Sequence, residues 1–389
     1  MNESEALPAM TPTGAPAAPI IDSESIVRLV ATAMVQLSQQ RGPSKTIYPD
    51  VVQKALNQVV LLALERGDSP PQSVADLVRW AQRPLGEWPL DLPADLAADD
   101  TVLVDPETVT PTQRCLEWLI DAGDTLGELV ENKVMLGALA KTQSAQAPDA
   151  YTEFRNLLIT KPVLTQAEFL SITTINVELE LLGEQIKYSY RPAPSSLRRH
   201  GTYHRCGRCN GLLVPVGNEG FRCELDRCRR DGVVVGDAID PGRHQLVYQL
   251  LRPLRVFVTG PGLAETDLQT DLESLGLTVK MWPEFDNYDL QVIFGNGTVW
   301  AIDVKDYANP ALLARRATPL RKQPHYDRAF LVIPQYRFDD RPDYRTVFHH
   351  HVDPKVRDQL ELVTDTEVVA AAKKQLGTHT TRRFDRKER

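Results

Sequence analysis

Between Tyr288 and Tyr307 the chain reads YDLQVIFGNGTVWAIDVKDY, and three of its residues have the types and spacing of hydrolytic metal chemistry. Asp289 heads one apolar run, Gly295-Asn296-Gly297 breaks it, and a second apolar run closes on Asp303-Val304-Lys305. Side chains alternate along a strand, so Asp303 and Lys305 fall on one face. Asn296-Gly297 supplies the positive φ angles of a tight hairpin turn. Pairing two runs of similar length across that turn brings Asp289 beside Asp303. Two carboxylates and one ammonium then share a face, the make-up of a metal site with a lysine beside it. A lone D-x-K tripeptide has an ordinary reading, a surface ion pair on a strand. The weight therefore rests on the spacing and on the neighbouring elements.

A second cluster lies upstream, in HRCGRCNGLLVPVGNEGFRCELDRCRRDG. It holds four of the five cysteines, Cys206, Cys209, Cys223 and Cys228, spaced C-x2-C, thirteen residues, C-x4-C. A hairpin of Leu212-Leu213-Val214 with Gly220-Phe221-Arg222 would bring the two pairs together around one Zn²⁺. Four thiolates close the coordination shell, so such a site is structural. Disulfides are the weaker account in a cytosolic chain. His204 stands close by, but the shell is already filled, and Cys115 sits on an apolar helical face as a core residue. Arg205, Arg208, Arg222, Arg227, Arg229 and Arg230 decorate the module. Either they form a positive surface suited to phosphate or they are a solvated rim.

The elements that must position Asp289, Asp303 and Lys305 follow from the pattern around them. A helix is expected from about Leu263 to Leu275, with Leu268, Leu272 and Leu275 on one face. Strands are expected over Leu277–Trp282, Asp289–Phe294 and Val299–Val304, then a short helix Pro310–Ala317 and a buried strand Ala329–Pro334. The order is α-β-β-β-α-β.

That order, with D-x13-D-x-K on its second and third strands, resembles the PD-(D/E)xK, or restriction-endonuclease-like, nuclease superfamily. The resemblance implies an α/β/α core in which Asp289 and Asp303 bind Mg²⁺ (or Mn²⁺) and Lys305 is the catalytic lysine. It also implies a further carboxylate from the first core helix. Glu265 fits best, with Glu273 an alternative and Asp267 and Asp271 left open. Tyr288 stands where the family name has its proline. Over roughly residues 190–336 the chain looks like the zinc-ribbon, restriction-endonuclease-like proteins encoded beside prokaryotic PIWI proteins of the PIWI-RE type. The matching segments are PGLAETDL, WPEFDNYDL, AIDVKDYANP and IPQYR. The resemblance implies a defence role against invading DNA, with a PIWI-like protein and a DinG-like helicase as partners.

The chemistry agrees independently, since phosphodiester hydrolysis needs a hydroxide near neutral pH and charge neutralised at phosphorus. A carboxylate-held Mg²⁺ supplies both. The expected activity is a Mg²⁺-dependent DNA endonuclease, with RNA or a hybrid left open and a homodimer expected for double-strand cutting. The competing readings are an inactive nucleic-acid-binding scaffold and a junction resolvase or transposition nuclease.

At 389 residues the chain has room for two or three domains. The expected organisation is multi-domain α + α/β. A disordered tail (1–20) leads to a helical domain for dimerisation or partner docking (21–190), a four-cysteine zinc ribbon (191–240), the nuclease core (241–378) and a basic tail (379–389). A winged-helix-like arrangement is open for residues 151–192, with strand-like alternation near the end of LGEQIKYSY. No apolar run suits a membrane helix and the N-terminus does not read as a secretory signal, so a cytoplasmic protein is expected. The net charge of −8 hides local contrast. Residues 67–131 hold 14 acidic against 3 basic groups, while residues 196–230 hold 8 basic against 3 acidic. Glu284, Asp286 and Asn287 are expected at the mouth of the site, Trp282 and Trp300 in the core, and Gln335-Tyr336-Arg337 within reach of phosphate. His349-His350-His351 reads as a polar patch near a strand end.

Overall fold

The computed structural model describes residues 22–39, 47–96, 101–121, 126–174, 176, 179–242 and 245–385. The expected N-terminal tail (1–20) and the end of the basic tail (386–389) lie outside the described residues.

Helices form first, where apolar residues recur at helical spacing. α1 (Ser23–Gln39) buries Ile26, Val27, Val30, Met34 and Val35. α2 (Asp50–Arg66) ends at Gly67, whose φ of 76° is the left-handed cap that glycine adopts without penalty. α3 (Val74–Ala81) starts at Ser73, which accepts from the Asp76 N–H. A long loop leads to α4 (Gln113–Asp121), α5 (Leu126–Ser144) and α6 (Pro148–Thr160). The core of α1–α4 also contains Val256, Ala311, Leu312 and Val347 from the C-terminal half. Residues of both halves thus lie in one apolar core.

From α6 the chain continues through β1 (Val163–Thr165), α7 (Gln166–Thr174), α8 (Gly183–Ser189) and β2 (Tyr190–Pro192). The strand-like end of LGEQIKYSY is mostly helix. Leu182, Ile186 and Ser189 are buried at helical spacing, and strand begins only at Tyr190. The cysteine module follows. β3 (Tyr203–Cys206) pairs antiparallel with β6 (Val235–Ile239), enclosing the hairpin of β4 (Val214–Val216) and β5 (Gly220–Arg222) and the single turn α9 (Asp226–Arg230). The hairpin starts two residues later than expected, because Leu213 is fully buried among the cysteines. β7 (Val247–Leu250) then returns between β1 and β2 in an antiparallel sheet of order β1-β7-β2. From α6 to β7 the helices and strands follow the order α-β-α-α-β-β, with the cysteine module inserted before the last strand.

α10 (Arg252–Leu254), a π-helical turn (Arg255–Thr259) and α11 (Gly260–Ser274) run into one another. β8 (Thr278–Met281), a short turn α12 (Pro283–Asp286), β9 (Leu290–Ile293), β10 (Val299–Val304), α13 (Pro310–Arg316) and β11 (Arg328–Ile333) follow. The chain continues through α14 (Gln335–Asp340), α15 (Tyr344–His351), α16 (Pro354–Arg357), β12 (Glu361–Thr364) and α17 (Asp365–Asp385). Five strands form one sheet in the order β12-β11-β10-β9-β8, antiparallel from β8 to β10 and parallel from β10 to β12. Each parallel pair is joined by a helical crossover, as parallel pairing requires. α11 and α17 cover one face through Leu268, Leu272, Val368 and Ala372, and α13 and α15 cover the other through Leu313, Ala314, Tyr344 and Phe348. Buried on both faces, β11 carries an unbroken apolar run.

Several expectations change. The β9–β10 turn uses one positive φ, at Gly297 (86°), with the Phe294 N–H bonded to the Thr298 carbonyl. It is a three-residue loop closed by a glycine, not a two-residue Asn-Gly turn. β11 is not the last strand, and β12 pairs beyond it. His349-His350-His351 ends the helix α15 and does not border a strand. α17 runs through residues 379–385, so that part of the expected tail is helical. No helix among the described residues is long and apolar enough to cross a membrane.

Candidate active site

Asp289 immediately precedes β9, and Ile302 pairs with Leu290, so Asp303 lies beside Asp289 across the two antiparallel strands. Lys305 follows β10 directly and is anchored by its N–H on the Val332 carbonyl, 2.9 Å. The structure brings these three together. Lys305 Nζ donates to Asp303 Oδ1 at 2.8 Å and to Asp289 Oδ2 at 3.5 Å, and the Val304 N–H donates to Asp289 Oδ2 at 2.7 Å.

The third carboxylate is Glu265, turned inward from α11 and buried. Its alternatives face away. Glu273 and Asp271 are exposed, and Asp267 is paired with Arg227 at 2.8 Å. Glu265 does not touch Asp289 or Asp303 directly. Arg155 of α6 lies between, with Nη2 2.8 and 3.0 Å from the two Glu265 oxygens and 3.2 Å from Asp289 Oδ1. Its Nη1 donates to Asp286 Oδ2, which also accepts from the Tyr151 hydroxyl at 3.0 Å. Trp282 Nε1 donates to Glu265 Oε2 at 2.6 Å, and the Arg155 guanidinium lies 5.1 Å from the Trp282 ring centroid.

Burial and neighbouring charge set the ionisation. Burial pushes Glu265 up to about 8 against the pull of Arg155. Burial likewise raises Asp303 to about 7, opposed by Lys305 and helped by the charge of Asp289. Burial also acts on Asp289, yet Lys305, Arg155 and the Val304 N–H together hold it below the ordinary carboxylate value. One carboxylate is kept ionised beside two that resist ionisation, a division seen where acid, base or metal chemistry is done.

The site opens into a cavity of about 450 Å³, lined by Arg155, Glu265, Asp289, Asp303 and Lys305 and by Asn287, Arg316 and Arg321. Asp286 and Asn287 stand at it as expected, while Glu284 does not line it. Carboxylate oxygens are the donor type of a hard divalent cation such as Mg²⁺. Among the described residues, however, Glu265, Asp289 and Asp303 are not spaced as one ligand group. Two clusters are: the four buried cysteines, and Asp95 with His350 and His351, where His351 Nε2 lies 3.1 Å from Asp95 Oδ2. The thiols of Cys206, Cys209, Cys223 and Cys228 converge within 4.8 Å, a geometry able to bind zinc.

The loop after Lys305 is held from the helical half. Glu117 of α4 accepts from the Ala308 N–H at 2.7 Å and the Asn309 N–H at 3.0 Å, and Gln113 Nε2 donates to the Asp306 carbonyl at 2.5 Å. Arg337, expected to reach phosphate, is instead buried, donating to Asp306 Oδ1 at 2.6 Å and to Gln113 Oε1 at 3.0 Å. The module's arginines are likewise taken up within the chain. Arg222 pairs with Asp105 and Glu107, Arg227 with Asp267, Arg229 with Asp226 and Arg230 with Asp340. Arg205 pairs with Glu168 at 3.7 Å, and Arg208 donates to the carbonyls of Gly232 and Asp231. The expected basic surface is largely a set of internal staples. Sequence reasoning missed Arg155, Tyr151, Gln113 and Glu117. They lie on amphipathic helices whose spacing shows only which face is buried.

Two family models match the chain. Residues 262–380 match the model described as "REase associating with pPIWI_RE", and residues 26–165 match "pPIWI_RE three-gene island domain Y". The chain is thus associated with the pPIWI_RE system and carries a REase-like domain. The helical half, which contributed nothing to the resemblance read from the sequence, has a match of its own. No curated protein and no solved structure matches.

Proposed function

We propose that the protein is a divalent-metal-dependent endonuclease of a pPIWI_RE defence island, hydrolysing phosphodiester bonds of DNA at Asp289, Asp303 and Lys305. One observation carries the reading. The three side chains meet within hydrogen-bonding reach, at a cavity, inside the segment that matches the REase model.

Asp289, Asp303 and Glu265 are the residues that would hold the Mg²⁺. When bound, the ion acts as a Lewis acid on the phosphoryl oxygen and lowers the pKa of its water. The protein's own groups do the rest. Asp289 is kept ionised and oriented by the Val304 N–H. Lys305, steadied by Asp303, presents an ammonium to the charge that develops on phosphorus. Arg316 and Arg321 at the cavity add cationic groups of the kind that contact a phosphate backbone. The core fits a PD-(D/E)xK arrangement, since the carboxylates and lysine sit on a β-hairpin and on the helix before it. Cutting both strands needs two sites, so a homodimer or a partner helicase and PIWI-like protein belong to the proposal. The four thiolates serve as a structural zinc site.

The test is a metal titration with single-stranded DNA, duplex DNA, RNA and hybrid substrates, comparing wild type with Asp289→Asn. Cleavage that requires Mg²⁺ or Mn²⁺ and is lost in the variant supports the reading. Equal cleavage by both proteins contradicts it.

A further inference from the structure

The guanidinium of Arg155 lies where carboxylates from three places converge: Glu265 on α11, Asp289 at β9 and Asp286 in α12. Asp289 Oδ2 is committed to the Val304 N–H and Lys305, so Oδ1 is the oxygen left for a cation, and it faces Arg155. Glu265 is in the same position. Oε2 is committed to Trp282 Nε1, and both of its oxygens accept from Arg155. A Mg²⁺ ion needs its oxygens at about 2.0–2.1 Å in a near-octahedral shell. Glu265, Asp289 and Asp286 are instead arranged around a planar cation several ångströms across.

Arg155 is not a fully satisfied structural staple. Its side chain is only 12% exposed, yet its buried Nε has no hydrogen-bond partner among the described residues. Its contacts also hold strained backbone. Trp282, Glu284, Phe285 and Asp286 have φ of 46°, 50°, 61° and 68°, a left-handed run that costs about 1–2 kcal/mol per residue. Arg155 and Tyr151 anchor Asp286 at one end of that run, and Glu265 anchors Trp282 at the other.

We propose that Arg155 occupies the place of the divalent cation, so that α6 must give up Glu265 and Asp289 before the site can load metal. The proposal rests on the reading of these carboxylates as metal ligands. Four carboxylates here face two cationic side chains, and withdrawing one of them raises the site's demand for a divalent ion. The withdrawal also frees Asp286 and lets the left-handed run relax, which lowers the cost of opening. Arg155 falls within the segment matching domain Y, whereas the carboxylates fall within the REase match. One matched segment therefore restrains the other.

The experiment measures Mn²⁺ binding by calorimetry and Tb³⁺ binding by luminescence sensitised through Trp282, on the full chain. Wild type, Asp289→Asn, Arg155→Met and Arg155→Met combined with Asp289→Asn are compared. The expected result is affinity at least ten-fold tighter in Arg155→Met, with the gain lost in the double variant. Equal or weaker affinity in Arg155→Met, still sensitive to Asp289→Asn, overturns the competition and leaves the metal site standing. Absence of Asp289-sensitive binding in either protein overturns both. Hydrogen exchange of wild-type residues 148–160 gives a readout that does not depend on the variant folding. Metal loading should speed exchange there, and unchanged or slower exchange at a saturated site overturns the proposal.

Discussion

Lys305 is held by two carboxylates, 2.8 Å from Asp303 and 3.5 Å from Asp289, and those contacts raise its pKa despite burial. In the proposed mechanism it therefore stays charged and acts as an electrostatic group, not as a proton acceptor. Lys305→Ala should therefore lower Mg²⁺-dependent cleavage by about 10²–10³-fold, the cost of losing one oriented charge stabiliser, with unchanged far-UV circular dichroism. Lys305→Arg keeps the charge and should recover part of that loss. Glu117 makes a separate, pH-dependent prediction. Burial pushes its carboxyl up to about 7 from an ordinary 4.5, against Arg337 and the N–H groups of Ala308 and Asn309. A group raised in this way contributes stability that is full below pH 4.5 and lost as pH rises through 7. Urea unfolding should show wild type exceeding Glu117→Gln most at low pH, with the gap narrowing as pH rises from 4.5 through about 7 and level above it; a widening gap would contradict the account. Asp289, Asp303 and Lys305 were legible because their relation is local, two strands and one turn. Arg155 and Glu117 were not, because they meet their partners across 110 and 191 residues of chain.

At the scale of elements, α6 owes its place to Gly262. A Cβ there would lie 2.4 Å from Ile159 Cδ1 and Cγ1, so the helix bearing Arg155 and the helix bearing Glu265 approach closely only over a glycine. Gly262→Ala should destabilise the fold by about 1–3 kcal/mol, the usual cost of overpacking, read as a lower denaturation midpoint. The cysteine module makes a second prediction at this scale. Purified protein should contain one equivalent of zinc by elemental analysis. Cys206→Ser should lose it and become protease-sensitive within residues 200–240, and retained zinc would contradict the assignment. The cysteine spacing was legible, and so were β9, β10 and β11, whose apolar runs are continuous. β12 was not. Its Glu-Leu-Val-Thr is too short to show a period, and it becomes a strand only because β11 offers it an edge. The fate of the module's arginines was equally hidden, since their acidic partners come from distant segments.

At the scale of the whole molecule, the helical half and the sheet half are not separable beads. Leu312 and Ala311 of α13 are buried in the core of α1–α4, and Gln113 and Glu117 hold the loop that follows Lys305. Leu312→Ala should therefore cost about 2–5 kcal/mol and lower a single unfolding transition monitored at both halves; two separate transitions would contradict the shared core. The most direct test of the central claim is cleavage of end-labelled duplex DNA by wild type and Asp303→Ala, in Mg²⁺ and in EDTA. The account predicts that wild type cuts in Mg²⁺ and not in EDTA, and that Asp303→Ala, folded and zinc-loaded, does not cut in either. Undiminished Mg²⁺-dependent cutting by a pure Asp303→Ala sample would contradict it.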